Sequence, residues 1–237
     1  MKLLVIADVH GTERGIYSTI EKLDKYKPDL LIVCGDITHH GPAAWAGTFL
    51  DQMYEKLTIV HRGAEGRSAT RNIRVLAVPG NCDPIEILEV LNKCQATNLH
   101  RAKVTIGQWT FVGLGGSNIT PFHTIFEYPE ETLYTWLAEI MVKHAILVVH
   151  TPPRGYLDLF EAHGNLGSTA IANIVDLYKP TLVLSAHVHE ARGVLETDDT
   201  IFVNPGPARD GYGAIVELKT NKCTEPLSKK IKVKLLS

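Results

Sequence analysis

Five short runs of this chain are apolar almost without interruption: KLLVIA (2–7), DLLIVCG (29–35), IRVLAV (73–78), AILVVH (145–150) and TLVLSAH (181–187). A strand with one face in water alternates apolar and polar residues; these do not, so they read as strands covered on both faces. The segments between them repeat apolar residues at helical spacing: ERGIYSTIEKLDKY (13–26), AAWAGTFLDQMYEKL (43–57), Glu130 to Val142, and GSTAIANIVDLY (167–178). Continuous apolar strands separated by helices predict a mostly parallel sheet with helices packed over it.

The rest of the chain is less regular. KVTIGQWTFVGLGG (103–116) reads as two strands joined at Gly107-Gln108, with a long loop running on to about Tyr128. The end is rich in strands: ARGVLET, a turn at Asp198-Asp199, IFVN, GYGAIVELK and KKIKVKLL. The alternating lysines of the last read as the solvated side of an edge strand. HRGAEGRSATRN (61–72) reads as an excursion within the same domain, and nothing marks a linker or a repeat.

Composition bounds the function. With 237 residues, 45% of them hydrophobic, the chain is expected to fold as a single domain spanning 1–237. A formal charge of −2 and the lack of a basic, aromatic-lined strip argue against nucleic acid as a partner. No stretch is apolar for long enough to span a membrane, and the first apolar run is too short for a signal peptide core. Cys34, Cys82, Cys94 and Cys223 are scattered without a CxxC pair, which points to a reducing, cytoplasmic setting. Homo-oligomer formation is left open.

Each apolar run ends in residues that can hold a metal. ADVHG places Asp8 and His10 after the first and CGD places Asp36 after the second. PGNCD places Asn81 after the third, His150 ends the fourth, and His187 and His189 follow the fifth. Strand carboxyl ends are where open α/β sheets bind ligands. Two carboxylates, four imidazoles and an amide form a mixed oxygen and nitrogen set suited to Mn²⁺, Fe²⁺ or Zn²⁺, unlike the all-oxygen cage of Ca²⁺. Seven ligands exceed what one ion with an open position takes; they suit two ions about 3.5–4 Å apart that share a carboxylate. His187 and His189, two apart on an extended run, are expected to point the same way.

In that order, Asp8-x-His10, Gly35-Asp36, Gly80-Asn81-x-Asp83, His150 and His187-x-His189 make the chain resemble a calcineurin-like metallophosphoesterase over almost its whole length. Ala186 stands where the family's last block has glycine. The resemblance implies a four-layer αββα sandwich of two mixed β-sheets flanked by helices. It implies one metal held by Asp8, His10, Asp36 and His189, and a second held by Asp36, Asn81, His150 and His187, with Asp36 bridging. Mn²⁺ leads as the expected ion, with Fe, Zn, Ni and Mg as further candidates. The implied reaction is hydrolysis of a phosphodiester or a small phosphate ester by in-line attack of a metal-bridging hydroxide, so a small phosphorylated molecule is the expected partner. A phosphomonoesterase of the same mechanism, or a catalytically silent scaffold with this fold, is the alternative.

The third block often carries a substrate-facing histidine where this chain has Cys82. A thiol is a weak donor and bears no positive charge, so a proton for the leaving group would come from elsewhere. His39 and His40 in GDITHHGP are the foremost candidates, then His123 and His163. His61, His100 and His144 read as surface or strand-start residues, and Arg154 and Arg192 as phosphate clamps or solvated cations. DPIE (83–86) reads as a helix start capped by Asp83. Glu190 reads as a residue orienting an imidazole, and GLGGSN (113–118) as close backbone packing rather than a nucleotide loop.

Overall fold

The structure is a computed structural model that describes residues 1–62, 74–219 and 230–237. Residues 63–72 of HRGAEGRSATRN, Cys223 and the side chain of His61 therefore lie outside the described residues, while 61–62 fall in a helix.

Among these residues are two six-stranded sheets. The first contains β1 (Lys2–Ile6), β2 (Leu30–Cys34), β3 (Arg74–Val78) and β4 (Thr97–Asn98). The second contains β5 (Ala102–Ile106), β6 (Trp109–Leu114), β7 (Ile146–Val149), β8 (Leu182–Leu184), β9 (Gly193–Glu196) and β10 (Ile201–Asn204). The chain then returns to the first sheet as β11 (Gly213–Leu218) and β12 (Ile231–Leu236). The orders are β12-β11-β1-β2-β3-β4 and β9-β10-β8-β7-β6-β5. Both sheets are parallel at the centre, with antiparallel strands added at one edge of the first and at both edges of the second.

Three apolar layers hold the sheets and helices together. Leu3, Val5, Ile32, Phe111, Val148 and Leu184, from the two facing sheet surfaces, share one core. On the outer face of the first sheet, Leu4, Ile6 and Val33 pack against α1 (Glu13–Tyr26), α2 (Ala43–Arg62) and α3 (Ile87–Lys93). On the outer face of the second, Val112, Leu147 and Val183 pack against α4 (Glu130–Ile140) and α5 (Thr169–Tyr178). Successive residues of each central strand thus enter different apolar layers, which is why the strands are apolar without alternation. The αββα sandwich is the observed fold.

Local chemistry sets the helix ends. Thr12 caps α1 by accepting from the Gly15 N–H, and Ser168 caps α5 by accepting from the Ile171 N–H. The Glu130 carboxylate adds acceptors for the Thr169 and Ala170 N–H groups. Lys232 and Lys234 are the outward residues of edge strand β12, as the alternation implied. In GLGGSN, a Cβ on Gly113 would meet Leu99, and one on Gly115 would meet Pro79, so the segment serves close packing.

Candidate metal centre

The carboxyl ends of β1, β2, β3, β7 and β8 lie at one end of the sandwich, where the two sheets meet. There the backbone takes up strained conformations. Asp8, His10, Asp36 and His187 all have positive φ, between 48° and 70°. For a residue other than glycine this costs about 1–3 kcal/mol and persists only where surroundings impose it. Three hydrogen bonds impose it between the first two blocks: Asp8 N–H to Gly35 O, His10 N–H to Asp36 O, and Gly11 N–H to Ile37 O.

Asp8, Asp36, Asn81 and His150 are at most 3% exposed, far below what polar side chains usually show. Asp36 Oδ1 accepts from the Cys82 N–H at 2.8 Å and lies 3.6 Å from His150 Nε2. Its Oδ2 lies 3.8 Å from His10 Nε2. One carboxylate therefore presents an oxygen to each half of the cluster. On the first side Asp8 Oδ1 lies 3.6 Å from His189 Nε2. On the other, Asn81 Oδ1 lies 2.7 Å from His150 Nε2 and 2.8 Å from His187 Nδ1.

The tautomers make this arrangement costly without a cation. The Asn81 Nδ2 amide donates to Thr124 Oγ1 at 2.9 Å, which turns its oxygen toward the imidazoles. His150 Nδ1 lies 2.8 Å from the Cys34 carbonyl, which can only accept. A neutral imidazole donating there presents a bare lone pair at Nε2, directly against the Asn81 oxygen. Among the described residues, five buried side-chain nitrogen or oxygen atoms lack a hydrogen-bond partner. Four belong to this cluster: both Asp8 oxygens, His10 Nε2 and His187 Nε2. Buried lone pairs facing one another without protons are what a cation site requires, so the donor set fits divalent metal.

Titration is biased the same way. Burial holds His187 down at about 4, with His150 adding to the effect, and burial likewise lowers His10 against the pull of Asp36 and Asp8. Both are thereby kept neutral, the state in which imidazole binds metal. Burial opposes ionisation of Asp8, but His189, His150 and His10 outweigh it and hold its carboxyl below the usual range. His189 is raised: burial disfavours its charge, and Asp8 more than compensates.

Two glycines allow the blocks to meet. A Cβ on Gly80 would collide with the Asp36 backbone nitrogen and carboxylate, and one on Gly35 with His150 Nδ1 and Gly80. Asp83 completes the junction, and here the structure corrects the sequence reading. Asp83 caps no helix; α3 starts after Glu86 with no side-chain cap. Its buried carboxylate instead accepts from the N–H groups of Ile37, Thr38 and Gly80 and from the Thr38 hydroxyl. Burial and the nearby Asp36 charge push it up to about 6. Its role is to clamp the second block onto the third.

Convergence of the last two histidines also has a different cause from strand alternation. Strand β8 ends at Leu184; His187 sits in a left-handed turn and His189 opens a single turn of 3-10 helix. A turn, not a pleat, aims both inward.

A cavity of about 260 Å³ opens above this cluster, with His10, Asp36, Asn81, His187 and His189 on its floor. Cys82 and His39 line its wall. Burial, with Asp36 next, pushes the Cys82 thiol well up, so it stays protonated. His39 Nδ1 lies 3.3 Å from His10 Nδ1. His40 and His123 are exposed and line no part of the cavity, and His163 stands outside it against the ring of Phe160. His144 is exposed, whereas His100 is half-buried and accepts from the Gly115 N–H, so it is no surface residue. Arg154 is bonded to the Asn165 carbonyl, and Arg192 to the carbonyls of Pro205 and Leu236, with its guanidinium over Tyr212. Neither reaches the cavity, but Glu190 does.

The arginine that does was missed by sequence reasoning. Arg209 lines the cavity, with a guanidinium nitrogen 3.2 Å from His189 Nδ1. It is brought there because β11 pairs beside β1: Ala208 N–H bonds to Ala7 O and Arg209 N–H to Asp8 O. The only sequence signal was the NPGPARDG turn that follows β10.

Thr124 was also unsuspected. It accepts from Asn81 and donates to Glu127 Oε1 at 2.6 Å, fixing which face of the amide meets the cluster. Thr124→Val should lower affinity for the ion at Asn81 by about 10- to 100-fold with the fold unchanged. Competition titration against a chromophoric chelator measures it; unchanged affinity would remove Thr124 from the site's support.

Comparison with known proteins identifies the family and the fold. A protein of Methanocaldococcus jannaschii, MJ1162, is 34% identical over 214 residues, covering 87% of this chain and 88% of that one. The structure of TT1561 from Thermus thermophilus matches with a TM-score of 0.64 at 19% identity, over 98% of this chain and 97% of that chain. A dimetal phosphatase from Danio rerio matches with a TM-score of 0.56 at 10% identity, over 92% of each chain. The model of the calcineurin-like phosphoesterases matches residues 1–191, and the chain belongs to that family.

Proposed function

We propose that the protein is a two-metal hydrolase of phosphate esters that prefers phosphodiesters. The observation that carries this is the Asn81 oxygen held within 2.8 Å of two imidazole nitrogens beside the two-sided Asp36 carboxylate. Asp8, His10, Asp36 and His189 would hold one ion; Asp36, Asn81, His150 and His187 would hold the other. Mn²⁺ suits the mixed donor set. When bound, the ions supply an activated water and neutralise charge on the phosphoryl oxygens.

The residues around them have separable tasks. Arg209 is the cation at the cavity wall and binds a non-bridging phosphoryl oxygen once it turns from His189. With His10 engaged through Nε2, its Nδ1–H donates to His39 Nδ1 and leaves the His39 Nε2–H free to donate. His39 can thereby give the leaving oxygen a hydrogen bond that the Cys82 thiol makes only weakly. One arginine and no lysine line the cavity among the described residues. That modest positive charge suits the single negative charge of a diester better than the double charge of a monoester.

The test compares bis(p-nitrophenyl) phosphate with p-nitrophenyl phosphate after chelation and readdition of single metals. Diester turnover should vanish in chelator, return with Mn²⁺, and exceed monoester turnover at least tenfold. His187→Ala should abolish both activities. Turnover surviving in His187→Ala, or none with any metal, would overturn the reading.

A further inference from the structure

The side chains that hold Arg209 from behind belong to α1, which contributes no ligand to the cluster. Arg209 is carried by a single turn of 3-10 helix, Ala208–Asp210, which the chain leaves through Gly211 at φ 93°. A turn of three residues does not fix its own position; bonds from its neighbours do. On one side the end of β1 supplies Ala7 O for the Ala208 N–H and Asp8 O for the Arg209 N–H. On the other side stands α1. Arg14 Nη2 donates to the Asp210 carbonyl at 3.0 Å, and Lys22 Nζ donates to the Gly211 carbonyl at 2.6 Å.

Lys22 is the unusual member of the pair. It is 7% exposed, a degree of burial that lysine almost never shows without a partner. Its second acceptor is the Ser18 hydroxyl, one turn back on the same helix, at 2.5 Å. Its stem lies against the start of β11, where a Cβ on Gly213 would come 3.4 Å from Lys22 Cδ and Cε. An apolar side chain of the same length would fill this space without the cost of taking an ammonium out of water. What the ammonium adds is a directed bond to the carbonyl two residues beyond Arg209.

We propose that Lys22, assisted by Arg14, is a positioning residue: it fixes the turn that aims Arg209 into the cavity at a phosphoryl oxygen. The proposal rests on the reading of Arg209 as the cation that meets the phosphoryl group. Arg209 has competing partners close by, His189 Nδ1 at 3.2 Å and Asp210 Oδ2 at 4.0 Å from its Nε. A turn free to rotate would leave the guanidinium to the Asp210 carboxylate. Pinning the two carbonyls that follow Arg209 prevents this, so that binding orders one side chain rather than a segment of backbone. Neither Lys22 nor Arg14 lines the cavity, so each acts only through the turn.

Lys22→Met keeps the length of the side chain and removes the donor. In the metal-loaded protein it should lower kcat/KM for bis(p-nitrophenyl) phosphate about tenfold, chiefly through KM, with bound metal unchanged. Calorimetry with inorganic phosphate should show affinity falling about fivefold in parallel. Arg14→Met, at an exposed site, should reduce both quantities about threefold. In an Arg209→Gln background neither substitution should move either quantity more than about twofold, because nothing remains to be aimed. Equal losses with and without Arg209, no loss from Lys22→Met, or loss of bound metal would overturn the proposal. If Lys22→Met does not fold, Arg14→Met decides by the same comparison. A parent protein that binds phosphate but cleaves neither ester defeats the phosphoesterase reading alone, and phosphate affinity still decides the role of Lys22; one that binds no phosphate defeats both.

Discussion

Asp36→Asn is expected to cut hydrolysis of bis(p-nitrophenyl) phosphate by about a thousandfold or more, the several kcal/mol of transition-state stabilisation a metal centre supplies. It should also lower bound metal from two ions per chain toward one. The substitution keeps side-chain size, and the remaining Oδ1 still accepts from the Cys82 N–H, so the fold is retained. What is lost is the negative charge that faces His10 with one oxygen and His150 with the other. Atomic emission on desalted protein gives the stoichiometry and initial rates give the activity. Two ions retained with a rate within tenfold of the parent would refute the bridging role.

Gly80→Ala should be nearly as damaging, although it removes no ligand. The new methyl group would occupy the space of the Asp36 backbone and carboxylate. Neither neighbour can yield. Asp36 is held at φ 48° by bonds to the first block, and Asp83 ties Gly80 N–H to the same junction. A loss of about 1–3 kcal/mol in stability, as for overpacked cores, should accompany loss of metal binding. Gly107→Ala is the matched control. Gly107 also has a positive φ, 62°, but a Cβ there would meet nothing within 4 Å. That variant should cost only backbone strain of about 1 kcal/mol and bind metal normally. Equal thermal and metal-binding losses in the two variants would show that steric interlock at Gly80 is unimportant.

Much of this molecule is written in local sequence pattern. The five uninterrupted apolar runs define strands buried on both faces because strand periodicity and burial are local properties of a short segment. The candidate ligands were legible because each sits where such a run stops, and their oxygen and nitrogen chemistry narrows the ion without coordinates. Tertiary structure decided the rest. Asp83 carries a helix-cap signature, yet its carboxylate serves amides 45 and 46 residues away because those amides are buried and need an acceptor. Arg209 reaches the site only because the chain returns to pair beside β1, and Thr124 reaches Asn81 only because the loop after β6 crosses over the third block. Sequence settles which segments are buried and which chemistry ends each strand, since both follow from a few adjacent residues. Which distant side chains then share a site depends on how sheets pack and loops cross, and only the folded chain decides that.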